Sequence, residues 1–179
     1  MLKSVRKLLH RQRLHTKLKS ISVTHHAIAM DEAKRIGILF DATSGDDRQE
    51  IENFAELLRS HDKKVLVLGF IDSNHTHDIH NYLVFTKKNL NWYLEPSGDQ
   101  VNRFLEEPLD ILINAYGKEC LPLEYISALS PAKCRVGVYH QDKTCSYDLM
   151  INMNREADLG FFLNQIAHFL NLIRPHAYQ

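Results

Sequence analysis

The chain has 179 residues, of which 44% are hydrophobic, enough to bury the core of one domain. No apolar run reaches the ~18–20 residues that a membrane-spanning helix requires, and no secretory signal is recognisable. The three cysteines, Cys120, Cys134 and Cys145, form no C-x-x-C pair, which fits a reducing compartment. We therefore expect a cytoplasmic protein without a membrane span.

Charge is divided unevenly along the chain, although the formal net charge is zero. Residues 1–30 contain no acidic residue and seven basic ones: Lys3, Arg6, Lys7, Arg11, Arg13, Lys17 and Lys19. Residues 31–179 contain the other 15 of the 22 basic residues and all 22 acidic ones. This division predicts a basic N-terminal arm over residues 1–30 and a single acidic domain over residues 31–179.

The arm contains neither glycine nor proline, which predicts a helix. Its apolar residues change from one helical face to the opposite face halfway along, whereas a membrane-surface helix needs one sustained apolar face. This pattern favours an arm that docks on the domain or on a partner while its cations contact phosphates. A solvated disordered tail and an organellar presequence are the alternatives.

The domain alternates short apolar runs with helical patterns. Six runs predict buried strands, at residues 35–41, 64–71, 81–86, 109–115, 134–139 and 147–153. Between them, Asp46 or Asp47 can cap one helix, Asp99 can cap a short one, and Pro122 suits the first turn of a third. The last helix, at about residues 156–173, is apolar on almost every face and is expected to be buried. The alternation predicts a Rossmann-like α/β fold, a mostly parallel sheet with helices on both faces.

Ligands of such sheets bind beyond the carboxyl ends of the strands. The loops after the first and fourth strands are expected to meet there, which makes Thr43, Ser44, Asn114 and Tyr116 the candidate ligand-binding residues. The first loop, DATSGDD, has one glycine among three aspartates, and neither G-x-G-x-x-G nor a P-loop motif occurs in the chain. An ordinary dinucleotide or P-loop site is therefore not expected, and no cofactor is predicted.

The string D-I-L-I-N followed by I-S-A-L-S-x-A-K-x-R-V-G covers about thirty residues. It resembles the N-terminal Rossmann half of heptosyltransferase-type glycosyltransferases, which implies a shared scaffold. Those enzymes close a second nucleotide-binding domain over the donor, and this chain has no room for one. The resemblance leaves open a nucleotide- or nucleotide-sugar-binding enzyme, or the remnant of one, that uses the loops after the first and fourth strands.

A second likeness extends over most of the domain. The segments R-I-G-I-L-F, F-T-K-K-N-L-N-W-Y, L-D-I-L-I-N, L-P-L-E-Y-I-S-A-L-S-x-A-K-x-R-V-G and Y-D-L-M-I look like those of an uncharacterised family of small Bacteroidota proteins. The likeness implies a bacterial, cytosolic origin. It implies no activity and no catalytic residue.

Two further groups of residues are candidate reactive sites. His75, His77 and His80 have side chains that bind transition metals, but no fourth ligand is clear, so a solvated polar loop is favoured and no metal is predicted. Cys145 with His140 would form a nucleophilic pair only if a third group oriented the histidine, and none is evident.

Lys87, Lys88, Trp92 and Tyr93 interleave basic and aromatic side chains, as single-strand nucleic-acid binders do. The alternative places Trp92 in the core of an edge segment that the lysines keep soluble. With the seven basic residues of the arm, Lys87, Lys88 and Trp92 are the predicted nucleic-acid contacts. We expect a non-enzymatic accessory protein whose arm engages an anionic partner, RNA or a ribonucleoprotein. The enzyme described above and a protein–protein interaction module are the alternatives.

Overall fold

The computed structural model describes residues 2–19, 26, 28–75, 81–141, 147–152 and 158–172. Five α-helices, six β-strands and one short 3-10 helix lie within these ranges. In chain order they are α1 (Leu2–Leu18), β1 (Arg35–Asp41), α2 (Gly45–Ser60), β2 (Lys64–Ile71), β3 (Leu83–Thr86), the 3-10 helix (Lys87–Asn89), α3 (Asp99–Glu106), β4 (Ile111–Ala115), α4 (Leu121–Leu129), β5 (Cys134–Val138), β6 (Leu149–Ile151) and α5 (Leu159–Leu172). The elements follow one another in the predicted order.

The six strands form one all-parallel sheet in the order β3-β2-β1-β4-β5-β6. β1 lies inside the sheet, where Ile36 is opposite Val65 of β2 and opposite Ile111 of β4. Parallel neighbours need crossover connections, and helices supply several of them. The predicted Rossmann-like α/β fold is confirmed. The direction of strand order reverses between β1 and β4, so their carboxyl ends mark the switch point of the sheet.

Both faces of the sheet are covered by helices. On one face, Ile38 and Phe40 of β1 belong to a core with α2 and α5. On the other face, Leu39 belongs to a core with Phe104 of α3 and Ile126 of α4. All five side chains are fully buried. Each contributes roughly 1.5–3 kcal/mol through its removal from water, so the two cores fix the sheet between its helices.

Several strands are shorter than the apolar runs that predicted them. β3 begins at Leu83 rather than at residue 81, β4 begins at Ile111 rather than at residue 109, and β5 ends at Val138. The last strand was predicted over residues 147–153 and spans only Leu149–Ile151 within the described residues. Strand ends are set by pairing with a neighbour, and an apolar run does not reveal how far that pairing extends.

Two helix caps lie one to three residues before the predicted positions. Ser44 is the N-cap of α2, and Asp46 and Asp47 lie in its first turn. Gly98 is the N-cap of α3, with Asp99 in the first turn. A carboxylate in the first turn still stabilises the helix through its interaction with the helix dipole, so the cap and the first turn give similar sequence signals.

The last helix is buried against the sheet as predicted, but through one of its faces only. One face of α5 packs into the core through Phe162 and Ile166. Phe161, Phe169 and Leu172 are exposed to solvent. The helix covers the sheet from outside, so only one of its faces can reach the core. None of the helices in the described ranges is long and apolar enough to cross a bilayer.

Gly137 in β5 leaves room for the ring of Tyr147, since a Cβ atom there would lie 2.7 Å from Cε2 of that ring. Gly137→Ala is expected to lower the free energy of unfolding by roughly 1–3 kcal/mol, because the ring is packed and must be displaced. Gly117→Ala is the control, because its Cβ would meet no atom within 4 Å. Urea unfolding measures both variants, and equal destabilisation of the two would contradict this packing.

Candidate functional site

The loop after β3 is folded by its own hydrogen bonds. Thr86 and Asn89 form a capping box around the 3-10 helix, in which Asn89 Oδ1 accepts from the Thr86 N–H at 2.9 Å. The side-chain oxygen of Asn91 accepts the backbone N–H groups of Tyr93 and Glu95, at 2.9 and 3.0 Å. These bonds give the loop a defined surface, and α1 packs on it.

Helix α1 docks on this loop through backbone carbonyls. Arg6 Nε donates to the carbonyl oxygen of Trp92 at 2.9 Å. His10 is fully buried, and its Nδ1 lies 2.8 Å from the carbonyl oxygen of Tyr93. A carbonyl only accepts hydrogen bonds, so this nitrogen carries the hydrogen. Residues 2–18 of the predicted basic arm are therefore a helix that lies against the domain.

Glu119 is the first of two carboxylates that pair with cations of α1. Lys7 Nζ lies 2.6 Å from Glu119 Oε1, and a guanidinium nitrogen of Arg11 lies 3.4 Å from it. All three side chains are well exposed, Arg11 the most at 62%. Exposed ion pairs contribute about 0–1 kcal/mol, so these contacts orient the helix more than they stabilise it.

Glu95 is the second carboxylate, and it is buried, with its side chain 7% exposed. Arg13 Nε donates to Oε1 at 2.6 Å, Asn91 Nδ2 donates to Oε2 at 2.9 Å, and Lys17 Nζ lies 4.0 Å from Oε2. Burial alone raises the pKa of Glu95, but the hydrogen bonds from Arg13 and Asn91 and the charge of Lys17 hold that pKa below its usual range. Glu95 is therefore a buried anion whose cationic partners both come from α1.

Aromatic rings complete the contact between α1 and the domain. Three cations of the helix lie over ring centroids: Arg6 over Trp92 at 5.9 Å, Arg13 over Tyr93 at 4.5 Å and Lys17 over Tyr125 at 5.0 Å. Lys17 also donates a hydrogen bond to the Tyr125 hydroxyl. We call residues 2–19 together with residues 87–93 the basic–aromatic surface.

The basic–aromatic surface brings together two groups of predicted nucleic-acid contacts that lie far apart in the sequence. Lys88 and Lys19 are exposed, and Lys87 Nζ lies 2.8 Å from Asp72 Oδ1. Lys3 lies in α1, and its side chain is outside the described part of the structure. Sequence reasoning named these residues but missed Glu95 and Glu119, because an isolated glutamate in a loop gives no signal of what it will pair with.

Trp92 is 50% exposed. The alternative that this ring lies in the core is therefore wrong. Its neighbour Tyr93 meets it edge to face, with ring centroids 5.1 Å apart. The loop carries both rings on the outside of the domain, where Trp92 remains accessible to a flat ligand.

A cleft of about 1210 Å³ lies at the carboxyl edge of the sheet. Its walls come from the ends of β1, β2, β4 and β5, from the start of α2, α4 and α5, and from the loop after β3. Arg6 of α1 also lines it. The cleft therefore lies at the switch point and borders the basic–aromatic surface.

The four predicted ligand-binding residues take different positions around this cleft. Tyr116 lines it. Asn114 is buried within β4, where Nδ2 donates to the Val136 carbonyl at 3.0 Å. Thr43 Oγ1 accepts from the Asp72 N–H at 3.0 Å, and Ser44 caps α2, so both hold the loop after β1 rather than line the cleft. Their role in binding stays a prediction.

The hydroxyl and thiol groups near the cleft are held neutral by burial. Burial and the neighbouring Tyr147 raise the pKa of Tyr116 well above its usual range, and burial also raises the pKa of Tyr147. The two hydroxyl oxygens lie 3.3 Å apart. Burial raises the pKa of the Cys120 thiol to about 12, so this sulfur stays protonated at neutral pH and is a poor nucleophile.

Carboxylates outnumber cations among the residues that line the cleft. The carboxylates are Asp41, Asp47, Asp72, Glu119 and Asp158, and the cations are Arg6, Lys87 and Lys118. Burial and the charges of Asp41 and Asp46 raise the pKa of Asp47, while Lys118 lowers it. Such crowding of like charge disfavours phosphate binding by the loop after β1.

Within the described ranges, no three His, Cys, Asp or Glu side chains lie together as metal ligands would. His75 is described, whereas His77 and His80 of the candidate metal motif lie outside the described residues. Cys145 of the candidate nucleophilic pair lies outside them as well.

Comparison with known proteins finds one family. The model of a family described as of unknown function (DUF6913) matches residues 6–173, which include most of α1 as well as the whole sheet. No curated protein and no solved structure matches the chain.

The lowered pKa of Glu95 predicts that this carboxylate contributes a pH-dependent amount to the free energy of unfolding. Its pKa is lower in the folded protein than in the unfolded chain, so the stabilisation is present above the unfolded pKa of about 4.3 and is lost as the pH falls through the folded value. Glu95→Gln is expected to lower the melting temperature at pH ~7, with the difference from the wild type shrinking below pH ~4.

Glu119→Gln is the matched control, because its ion pairs are exposed, and a change within about 0.5 kcal/mol is expected. Calorimetry across this pH range measures both variants. A Glu95→Gln deficit that is independent of pH would contradict a stabilising carboxylate.

Proposed function

We propose that this protein, which belongs to the DUF6913 family of unknown function, binds RNA or a ribonucleoprotein through its basic–aromatic surface. The observation that carries the proposal is the contact of the basic helix α1 with residues 87–93, which are basic and aromatic. Arg6 of α1 donates to the backbone carbonyl of Trp92 and also lies over the ring of Trp92. A surface made from both segments can contact phosphates and bases at once. The domain then serves as the scaffold that presents it.

The charge balance of this surface supports an anionic partner. Four cations of α1 share two carboxylates, Glu95 and Glu119, and a third carboxylate, Asp72, pairs with Lys87. The basic–aromatic surface carries nine basic residues in all, so cations remain in clear excess after every pair is formed. Excess cations on one surface are the electrostatic feature that phosphate backbones bind.

The exposed ring of Trp92 supports a single-stranded partner. Bases of an unpaired strand stack on aromatic side chains, and such a contact contributes about 1–3 kcal/mol per base. Arg6 lies beside the ring, where a guanidinium can meet the adjacent phosphate. Stacking and phosphate contacts carry little sequence information, so we expect binding that tolerates many sequences.

The salt dependence of binding tests the phosphate contacts. Four to seven contacts on a single strand predict a log–log slope of roughly −3 to −5. Replacing Arg11, Lys19 and Lys88 with alanine removes three exposed cations without touching the Glu95 pair, and is expected to make the slope less steep by about 2. Fluorescence anisotropy of a generic oligoribonucleotide at several salt concentrations measures it.

A triple alanine variant at Lys34, Arg59 and Lys64 is the matched control. These exposed cations lie at the amino-terminal edge of β1 and β2, and their removal changes the net charge equally. The control is expected to keep the wild-type slope. Equal slopes for the two triple variants would contradict the proposed surface, and no binding by the wild type at low salt would favour a protein partner.

Trp92→Ala tests the stacking contact separately. The variant is expected to weaken binding about fivefold to hundredfold, while the salt slope stays unchanged because no phosphate contact is lost. Trp92→Phe keeps a smaller ring and is expected to recover part of the affinity. Wild-type affinity in the alanine variant would remove stacking from the proposal.

A further inference from the structure

The cleft at the carboxyl edge of the sheet has the size and lining of a binding site for a small molecule. Its volume of about 1210 Å³ is somewhat above the usual range for such sites. Apolar and aromatic side chains from β2, β4, β5 and α5 line part of it, among them Phe70, Ala115, Val138 and Phe162. Tyr116 and Tyr139 add two phenol rings. These side chains suit the apolar or aromatic body of an organic ligand.

The polar groups of the cleft decide which charge such a ligand carries. Two cations of the cleft already have partners: Lys87 pairs with Asp72, and Arg6 donates to a backbone carbonyl. Asp41 lies at the end of β1 and Asp47 in the first turn of α2, and the charge of Asp41 helps to raise the pKa of Asp47. Lys118 is the cation that opposes them. Phosphate or carboxylate groups would add to the repulsion in this corner, and a cation would relieve it.

We propose that the cleft binds a protonated organic amine with an aromatic or apolar body, held by Asp41 and Asp47 at its charged end. Arg6 and Lys87 border both this site and the RNA contacts proposed above, but binding of the amine needs neither Trp92 stacking nor the excess cations of α1. The ammonium group donates hydrogen bonds to the two carboxylates, and the body of the ligand replaces water against Phe70, Phe162 and Tyr116.

The charge of the ligand is tested with three probes that share one phenyl ring: phenethylamine, 2-phenylethanol and phenylacetate. Trp92 is the sole tryptophan of the chain. Its neighbour Asn91 and its partner Arg6 both line the cleft, so its fluorescence reports on occupancy. We expect phenethylamine to bind about tenfold more tightly than 2-phenylethanol, and phenylacetate to bind most weakly. Calorimetric titration of the full chain, without RNA, gives the same three affinities independently of Trp92.

Asp47→Asn tests the assignment of the charged end. The variant keeps the size of the side chain and is expected to weaken phenethylamine about tenfold while leaving 2-phenylethanol unchanged. Glu56→Gln is the matched control, since it removes one exposed carboxylate from the same helix away from the cleft. Thermal unfolding checks that both variants are folded. Three results would overturn the proposal: another ranking of the three probes, no binding of any probe, or an unchanged preference for the amine in Asp47→Asn. None of these results bears on RNA binding.

Discussion

The pairing of β1 with a parallel neighbour on each edge is the constraint on which the rest of the structure depends. β2 lies on one side and β4 on the other, and both pair with β1 from Ile36 onward. Because the chain leaves the carboxyl end of β1 toward α2 and that of β4 toward α4, the two connections diverge above the sheet. The space between them is the cleft. Between Arg35 and Asp41, β1 has no polar side chain, so both of its faces can be buried. Its last residue, Asp41, lines the cleft.

Charge is organised in the same part of the molecule. Carboxylates outnumber cations in the lining of the cleft, whereas the basic–aromatic surface beside it carries an excess of cations. Arg6 and Lys87 line the cleft and belong to that surface, so they lie on the boundary between the two signs. Glu95 holds α1 beside the cleft, since a carboxylate that is 7% exposed needs the cations of this helix as partners. A chain with a formal net charge of zero thus presents two neighbouring surfaces of opposite sign.

The fold was readable from sequence because it rests on repeated, local signals. Apolar runs at residues 35–41 and 64–71 match β1 and β2 residue for residue, since most residues of these two inner strands are buried and therefore apolar. The predicted length of the edge strand β6 is too great, because the length of this strand depends on pairing with a single neighbour. The site was less readable. The sequence named Tyr116 and the cations of α1, but the pairing of Arg13 with Glu95 joins residues more than eighty positions apart and has no local signature.

The position of β1 also has a consequence for how the chain folds. Its partner β2 follows after one helix, but its other partner, β4, is made some seventy residues later. The unit β1–α2–β2 can therefore form early, with one edge of β1 unpaired and one face of its two strands uncovered. Contacts of such high sequence separation slow the folding of parallel sheets and leave an unsatisfied strand edge in the meantime. During synthesis on the ribosome, this edge of β1 stays unpaired until Ile111–Ala115 emerges. We expect a chaperone to bind this edge until then.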